Sequence, residues 1–299
     1  MIQIENVSKR LGEQLILDKI CAHVPKGSIY GLLGTNGAGK STLLNLMSGV
    51  YKPEEGKILY EGAPVWENPA VKCRVAYVSD EPFFFSGSSM DDMASYLVKA
   101  EPKFTMAKYK EVKEHFPLDC RKKLSTFSKG MKRQAAILLA LAQSPDVLLM
   151  DESFDGLDPV IRQLVKRLLI EEQQARGMTT VLSSHNLREM ENLCDIVTVI
   201  HGKNIMFERS IAELKDTVHK IQLAFSEPVE KEVFHEMHPL SVNVRGRVVE
   251  LVVRGKIDEQ LAKAESYKPL FAEKIEINLE DIFVYEMEAT GYDFSKLLQ

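Results

Sequence analysis

Tryptophan occurs once in this 299-residue chain and cysteine only four times. Cys21, Cys73, Cys120 and Cys194 are scattered, with no C-x-x-C pair and no metal-ligand spacing. This excludes a disulfide-stapled scaffold and a zinc ribbon, and it suits a reduced, cytosolic chain. A basic excess is missing too: 38 Lys and Arg stand against 43 Asp and Glu, for a net charge of −5. That balance is not the footprint of a nucleic-acid binder, and the densest basic cluster, Arg121-Lys122-Lys123, reads as a solvated patch. Long apolar runs are also absent. The longest, Ala135 to Ala142, falls far short of the roughly 18–20 apolar residues that cross a bilayer. Met1-Ile2-Gln3-Ile4-Glu5 has no basic-then-apolar signal pattern. The expectation is a chain with no transmembrane segment of its own, soluble by itself.

Apolar residues make up 45% of the chain, enough for one large domain and a smaller one. Residues 1–30 read as short strands, and Val147-Leu148-Leu149-Met150 is a fully apolar strand of the kind covered on both faces in parallel sheets. Val75 to Val78, Thr179 to Ser183 and Ile196 to Ile200 are further buried strands. Helical patterns separate them: about Ser89 to Gln143, broken at Pro102 and Pro117, then Val160 to Arg176 ended by Gly177, and Asn186 to Leu193. Alternating strands and helices predict an α/β sheet. Composition shifts near residue 216. Beyond it, Ile221 to Phe225, Ser241 to Arg245, Val248 to Val253 and Lys274 to Asn278 read as strands, and Ile257 to Ser266 and Leu279 to Glu288 as helices. The predicted division is 1–215 and 216–299, the second a small α+β domain.

Residues 34–42 carry the strongest chemical signal: Gly34-Thr35-Asn36-Gly37-Ala38-Gly39-Lys40-Ser41-Thr42, a phosphate-binding G-x-x-x-x-G-K-[ST] loop. Its glycines let backbone N–H groups, including those of Asn36 and Ala38, approach phosphate oxygens closely. Lys40 supplies charge for the β- and γ-phosphates, and the Ser41 hydroxyl suits Mg²⁺. The apolar strand Ile29 to Leu33 precedes the loop and a helix from Ser41 to Met47 follows, so a helix N-terminus faces the anion. The second signal is Asp151-Glu152 at the end of the apolar strand 147–150. There Asp151 can hold Mg²⁺ through water and Glu152 can polarise an attacking water.

Phe127-Ser128-Lys129-Gly130-Met131 lies upstream of those acids. Here the chain resembles the ATP-binding subunit of ABC transporters, whose signature is commonly Leu-Ser-Gly-Gly-Gln. Gly156-Leu157-Asp158-Pro159 resembles that family's D-loop and Ser184-His185 its H-loop, and order and spacing agree from about residue 2 to 215. The resemblance implies an ABC-type P-loop NTPase fold, a mixed sheet core with a helical subdomain at about 86–143. It implies ATP and Mg²⁺ as ligands, and a head-to-tail dimer with itself or a paralogous subunit. In that dimer Ser128 and Gly130 face the γ-phosphate on the other chain's Lys40, with Asp158 nearby. Glu152 is the expected general base and His185 the γ-phosphate sensor. Ser41, Asp151 and Asp80 are the expected metal neighbours.

Four positions depart from the family pattern. Leu11 stands where an adenine-stacking aromatic is expected, Asp80 where the Q-loop glutamine is, Thr35 in place of a frequent Pro, and Ser153 in place of the Pro after the base. None removes a phosphate or metal ligand. Phe83-Phe84-Phe85 follows the Q-loop, in the region that touches the membrane subunit in the family; three consecutive aromatics cannot all face one core. The implied protein is the cytoplasmic ATPase subunit of an exporter, peripheral to the membrane and driving a separate permease. Two rivals stay open: a soluble ABC-type ATPase without a membrane partner, and a nucleotide-gated regulatory subunit whose tail, 216–299, binds a ligand.

Overall fold

In the computed structural model, residues 1–289 are described, and they form two compact units, Met1–Glu208 and a second that begins at Arg209. The first opens with a long hairpin, β1 (Ile2–Leu11) and β2 (Gln14–Val24), in place of several short strands, then β3 (Ile29–Leu33) and α1 (Lys40–Met47). There follow β4 (Glu55–Tyr60), β5 (Ala63–Pro64), α2 (Pro69–Lys72) and β6 (Val75–Val78). The helical stretch comprises α3 (Met90–Ala100), α4 (Met106–Lys113) and α5 (Lys129–Ala142). Ser89 begins α3 with a reciprocal capping box to Asp92. Then come β7 (Val147–Met150), α6 (Pro159–Arg176), β8 (Thr179–Ser184), α7 (Leu187–Glu191), β9 (Ile196–His201) and β10 (Asn204–Ser210). α6 ends where Gly177 adopts φ 68°, a left-handed cap that glycine takes without penalty.

One sheet has the order β2-β1-β4-β5, and the other β10-β9-β3-β8-β7-β6. In the second, β3 pairs in parallel with both β8 and β9, and β7 in parallel with both β6 and β8. All four residues of β7 are fully buried, and each side chain contributes roughly 1.5–3 kcal/mol by leaving water. The order β3-β8-β7 places three C-terminal strand tips side by side, the position where open parallel sheets bind ligands.

The second unit comprises α8 (Ile211–Thr217), β11 (Val218–Ala224), β12 (Ser241–Arg245), β13 (Val248–Arg254), α9 (Ile257–Ser266), β14 (Phe271–Ile275) and α10 (Leu279–Ala289). Its sheet, β12-β13-β11-β14, is antiparallel in every pairing. Ile221, Leu223, Val249, Leu251 and Val253 form its core with Phe234 and Ala264. The unit begins several residues before the composition shift near 216. β14 also lies earlier than the expected strand Lys274 to Asn278, because pairing with β11 sets Phe271 opposite Ala224 and Ile275 opposite Lys220.

His219 on β11 is 3% exposed, and its Nδ1 has no partner. Burial, followed by the nearby Lys274 charge, holds its pKa below the usual histidine value, against opposing contacts with Asp216 and the Gly255 backbone. The unfolded chain therefore takes up this proton first as pH falls. The second unit should keep its stability above pH about 6.5 and lose at most about 1.4 kcal/mol per pH unit below it. Hydrogen-exchange protection of β11 amides at pH 7.5 and 5.5, corrected for intrinsic rates, checks this; His219→Gln should shrink the difference.

Candidate functional site

Gly34 to Gly39 connect β3 to α1. Gly37 (φ 81°) and Gly39 (φ 102°) use the left-handed region. Gly34 is required for space: a Cβ there would sit 2.6 Å from the Ile200 carbonyl oxygen. Lys40 is 5% exposed, and its Nζ donates to the carbonyls of Gly34 at 2.7 Å and Thr35 at 3.2 Å. The loop thus turns its carbonyls toward its own lysine, which leaves backbone N–H groups for an anion. Asn36, Gly37, Gly39, Ser41 and Thr42 line one cavity together with Leu11, Ile16, Asp80, Lys129, Glu152, Asp155 and His185. Leu11 and Ile16 are its aliphatic wall, with Leu11 42% exposed. Ala38 is half-buried within the loop and donates its N–H to the Thr35 carbonyl at 3.1 Å.

β7 pairs Met150 with Leu182 of β8, and that register sets Asp151 beside Ser183. The Ser183 hydroxyl donates to Asp151 Oδ1 at 2.6 Å and accepts the Glu152 N–H at 2.9 Å. Tyr77 Oη donates to Asp151 Oδ2 at 3.4 Å. Burial, reinforced by the Asp151 charge, raises the Tyr77 pKa well above the usual tyrosine value, so the phenol stays a donor. Glu152 adopts φ 43°, an uncommon conformation outside glycine that costs on the order of 1–3 kcal/mol where it is imposed. This backbone aims its carboxylate between Lys40 and His185: Oε1 lies 3.1 Å from Lys40 Nζ and Oε2 3.0 Å from His185 Nδ1. Glu152, Asp155 and His185 bring one ligand atom each within 4.8 Å of one another.

His185 follows β8 and is exposed. Glu189 steadies its loop: Oε2 accepts from the Ser184 hydroxyl at 3.1 Å, Oε1 lies 3.3 Å from Arg162 Nη1, and buried Lys166 donates to the Glu189 carbonyl at 2.8 Å.

The signature residues stand slightly apart. Ser128 caps α5 by accepting the Met131 N–H at 3.2 Å, and neither Ser128 nor Gly130 lines the cavity, although Lys129 between them does. Asp158 uses its carboxylate to cap α6, accepting from Val160 N at 3.1 Å and Ile161 N at 3.0 Å. Asp80 does reach the cavity, but one of its carboxylate oxygens pairs with the guanidinium of Arg133. Beside the metal role expected for it, Asp80 thus has a second one, as the partner of Arg133. Sequence reasoning also missed Arg133, Ser183, Tyr77 and Asp155, whose roles depend on strand register and on approaches between segments far apart in the chain.

A glycine-rich loop between strand and helix, a buried lysine and paired acids at the tip of a buried strand are the requirements of a P-loop nucleotide hydrolase, and that is the class this fold and cavity define. The ABC transporter family matches residues 17–155. A second family, described as an AAA domain, putative AbiEii toxin, Type IV TA system, matches residues 121–191. The ABC transporter ATP-binding protein YtrB of Bacillus subtilis (strain 168) is 27% identical over 95% of this chain and 97% of its own. The bacitracin transport ATP-binding protein BcrA of Enterococcus faecalis is 33% identical over 72% of this chain and 70% of its own. Among solved structures, an ATP-binding subunit of an ABC transporter superposes with a TM-score of 0.67 at 25% identity, over 72% of this chain and 92% of its own. Another cassette, solved as a dimer in a post-hydrolysis state with ADP and Pi, does so with a TM-score of 0.62 at 20% identity, over 71% of this chain and 99% of its own. The chain belongs to the ATP-binding proteins of ABC transporters, an ATPase family.

Proposed function

We propose that this chain is the engine of an exporter: it binds MgATP, pairs head-to-tail with a second copy or a paralogous subunit, and drives a separate permease from the cytoplasmic face of the membrane. The observation that carries the reading is the position of Glu152, held between Lys40 and His185 at the end of the strand that carries Asp151. Gly37, Gly39, Lys40 and Thr42 bind the phosphates, with Leu11 and Ile16 against the base. Ser41 and Asp151 offer hard oxygen donors suited to Mg²⁺, and the hydrogen bonds that Asp151 accepts from Ser183 and Tyr77 favour its ionised form. Bound there, Mg²⁺ would neutralise charge on the phosphate oxygens. Glu152 accepts the proton of the attacking water, and His185 orients that water and the γ-phosphate. The Ser128 and Gly130 end of α5 completes the partner's site across the dimer, with Asp158 beside it. The bacitracin transport relative supports a transport role, and the export direction rests on the family resemblance of the motifs.

Among the described residues, no helix is long and apolar enough to cross a membrane, so the membrane component belongs to another chain in this reading. Phe83 is 80% exposed, and its ring stands edge-on to Phe85, which meets Tyr96 in the same way with centroids 4.9 Å apart. A contiguous exposed aromatic patch of this kind suits a protein interface. A tagged chain should co-purify with a polytopic membrane protein from detergent-solubilised membranes. Phe83→Ser with Phe85→Ser should lose that partner while Mg²⁺-dependent hydrolysis stays within about twofold, since both rings lie outside the cavity. Retention of the partner by the double variant would remove the patch from the interface. Absence of any membrane partner from the wild type would favour the soluble ATPase.

A further inference from the structure

Arg133 is the bulkiest of the fully buried side chains, at 1% exposure. A guanidinium withdrawn from water must find acceptors, and an unpaired one is strongly disfavoured. The acceptors of Arg133 all come from loops around the nucleotide cavity. Nη1 donates to the Asp155 carbonyl, and Nη2 donates both to the Asp80 carbonyl at 2.7 Å and to Asp80 Oδ1. Nε is buried without a partner. One side chain on α5 therefore joins three segments. α5 itself begins beside Ser128 and Gly130. Asp80 follows β6 and lines the cavity. Asp155 lies three residues beyond Glu152, and its N–H donates to the Glu152 carbonyl at 3.1 Å. Nη1 and Nη2 reach acceptors on two separate loops at once, a span that the single nitrogen of a lysine does not reproduce.

We propose that Arg133 is a positioning residue that works as a unit with Asp80. The guanidinium holds the Glu152 loop and the start of α5 in register, and its charge allows a carboxylate to stand at the rim of a phosphate cavity. This rests on the reading of that cavity as an ATPase site. Charge and geometry then separate experimentally. Arg133→Gln leaves Asp80 uncompensated near the phosphates, so KM for ATP should rise about tenfold, and kcat should fall about tenfold or more as the loop loosens. Arg133→Lys keeps the charge without the fork: KM should return to within about threefold of wild type while kcat stays depressed. Asp80→Asn should lower kcat with little change in KM. Arg133→Gln combined with Asp80→Asn replaces the ion pair by two amides, and its KM should fall back to near the wild-type value, a non-additive rescue.

The measurements are steady-state ATPase kinetics on the full chain and, independently, equilibrium titration of each variant with a fluorescent ATP analogue. Rescue by the double variant, together with the KM-against-kcat split in Arg133→Lys, supports the proposal. A double variant whose losses equal the product of the two single losses overturns it, as does Arg133→Gln with wild-type KM. Because Asp80 is half-exposed and its variant should fold, Asp80→Asn at wild-type kcat overturns it even if Arg133 variants prove insoluble. A wild-type chain that neither binds nor hydrolyses ATP would instead remove the ATPase reading itself.

Discussion

Glu152→Gln should halt turnover and leave ATP bound. The substitution keeps the shape of the side chain and removes its ability to accept a proton. Oε1 and Oε2 already stand 3.1 Å from Lys40 and 3.0 Å from His185, so the position is fixed by its neighbours, and an amide can occupy it without moving the loop. Loss of a general base typically costs about 10²–10⁴-fold in rate. Binding should not suffer, because the P-loop is untouched and Lys40 is relieved of an anionic partner that competes with phosphate. Phosphate release measured over hours, set beside a fluorescent-nucleotide titration, separates the two effects. ATP should then hold an associated form visible by size-exclusion chromatography, since the bound nucleotide is not consumed. A variant hydrolysing at near the wild-type rate would take the base role from Glu152.

The parts of this site that could be read from the sequence are those that one continuous segment specifies. Gly34 to Thr42 carry their strand, turn and helix with them, and the strand Val147 to Met150 delivers Asp151 and Glu152 at its own end. His185 was legible in the same way, at the end of β8. What escaped notice comes from pairing between distant segments. Ser183 acts on Asp151 only because Met150 lies opposite Leu182, and no spacing along the chain encodes that register. Arg133 belongs to no motif in the sequence, yet folding buries it against Asp80, 53 positions earlier. The departure at Asp80 was visible, but its meaning depends on the partner: as an isolated residue it reads as a metal neighbour, and as half of an ion pair it reads as part of a brace. In the second unit, alternation located β11 to β13, whereas the short 3₁₀ stretch Lys231–Met237 gave no periodic signal despite placing fully buried Phe234 in the core.

Gly130→Ala should be the most damaging small change in the signature segment, against what local rules suggest. Gly130 is the second residue of α5 and has ordinary helical geometry, and alanine is favoured over glycine in helices by about 1 kcal/mol. Tertiary contact reverses the expectation. A Cβ at this position would lie 2.6 Å from the Gly156 carbonyl oxygen, closer than real side chains come to a backbone atom. Either α5 or the loop after Glu152 must move. Asp155, next to Gly156, is tied to both Arg133 and the Glu152 carbonyl, so the displacement reaches the catalytic carboxylate. Misplacement of about 1 Å at a reacting group costs on the order of 10²-fold, and kcat should fall by about that much while KM changes little, because the atoms within 4 Å of the added Cβ belong to Gly156 and not to the P-loop. Gly37→Ala is the matched comparison. Gly37 has open space around it but φ 81°, so its cost is backbone strain alone, about 1 kcal/mol, and should fall on ATP affinity rather than on kcat. Parallel kcat and KM measurements on the two variants check this contrast. If Gly130→Ala retains the wild-type kcat, the contact between Gly130 and Gly156 yields without disturbing Glu152, and the signature helix then acts on catalysis by some other route.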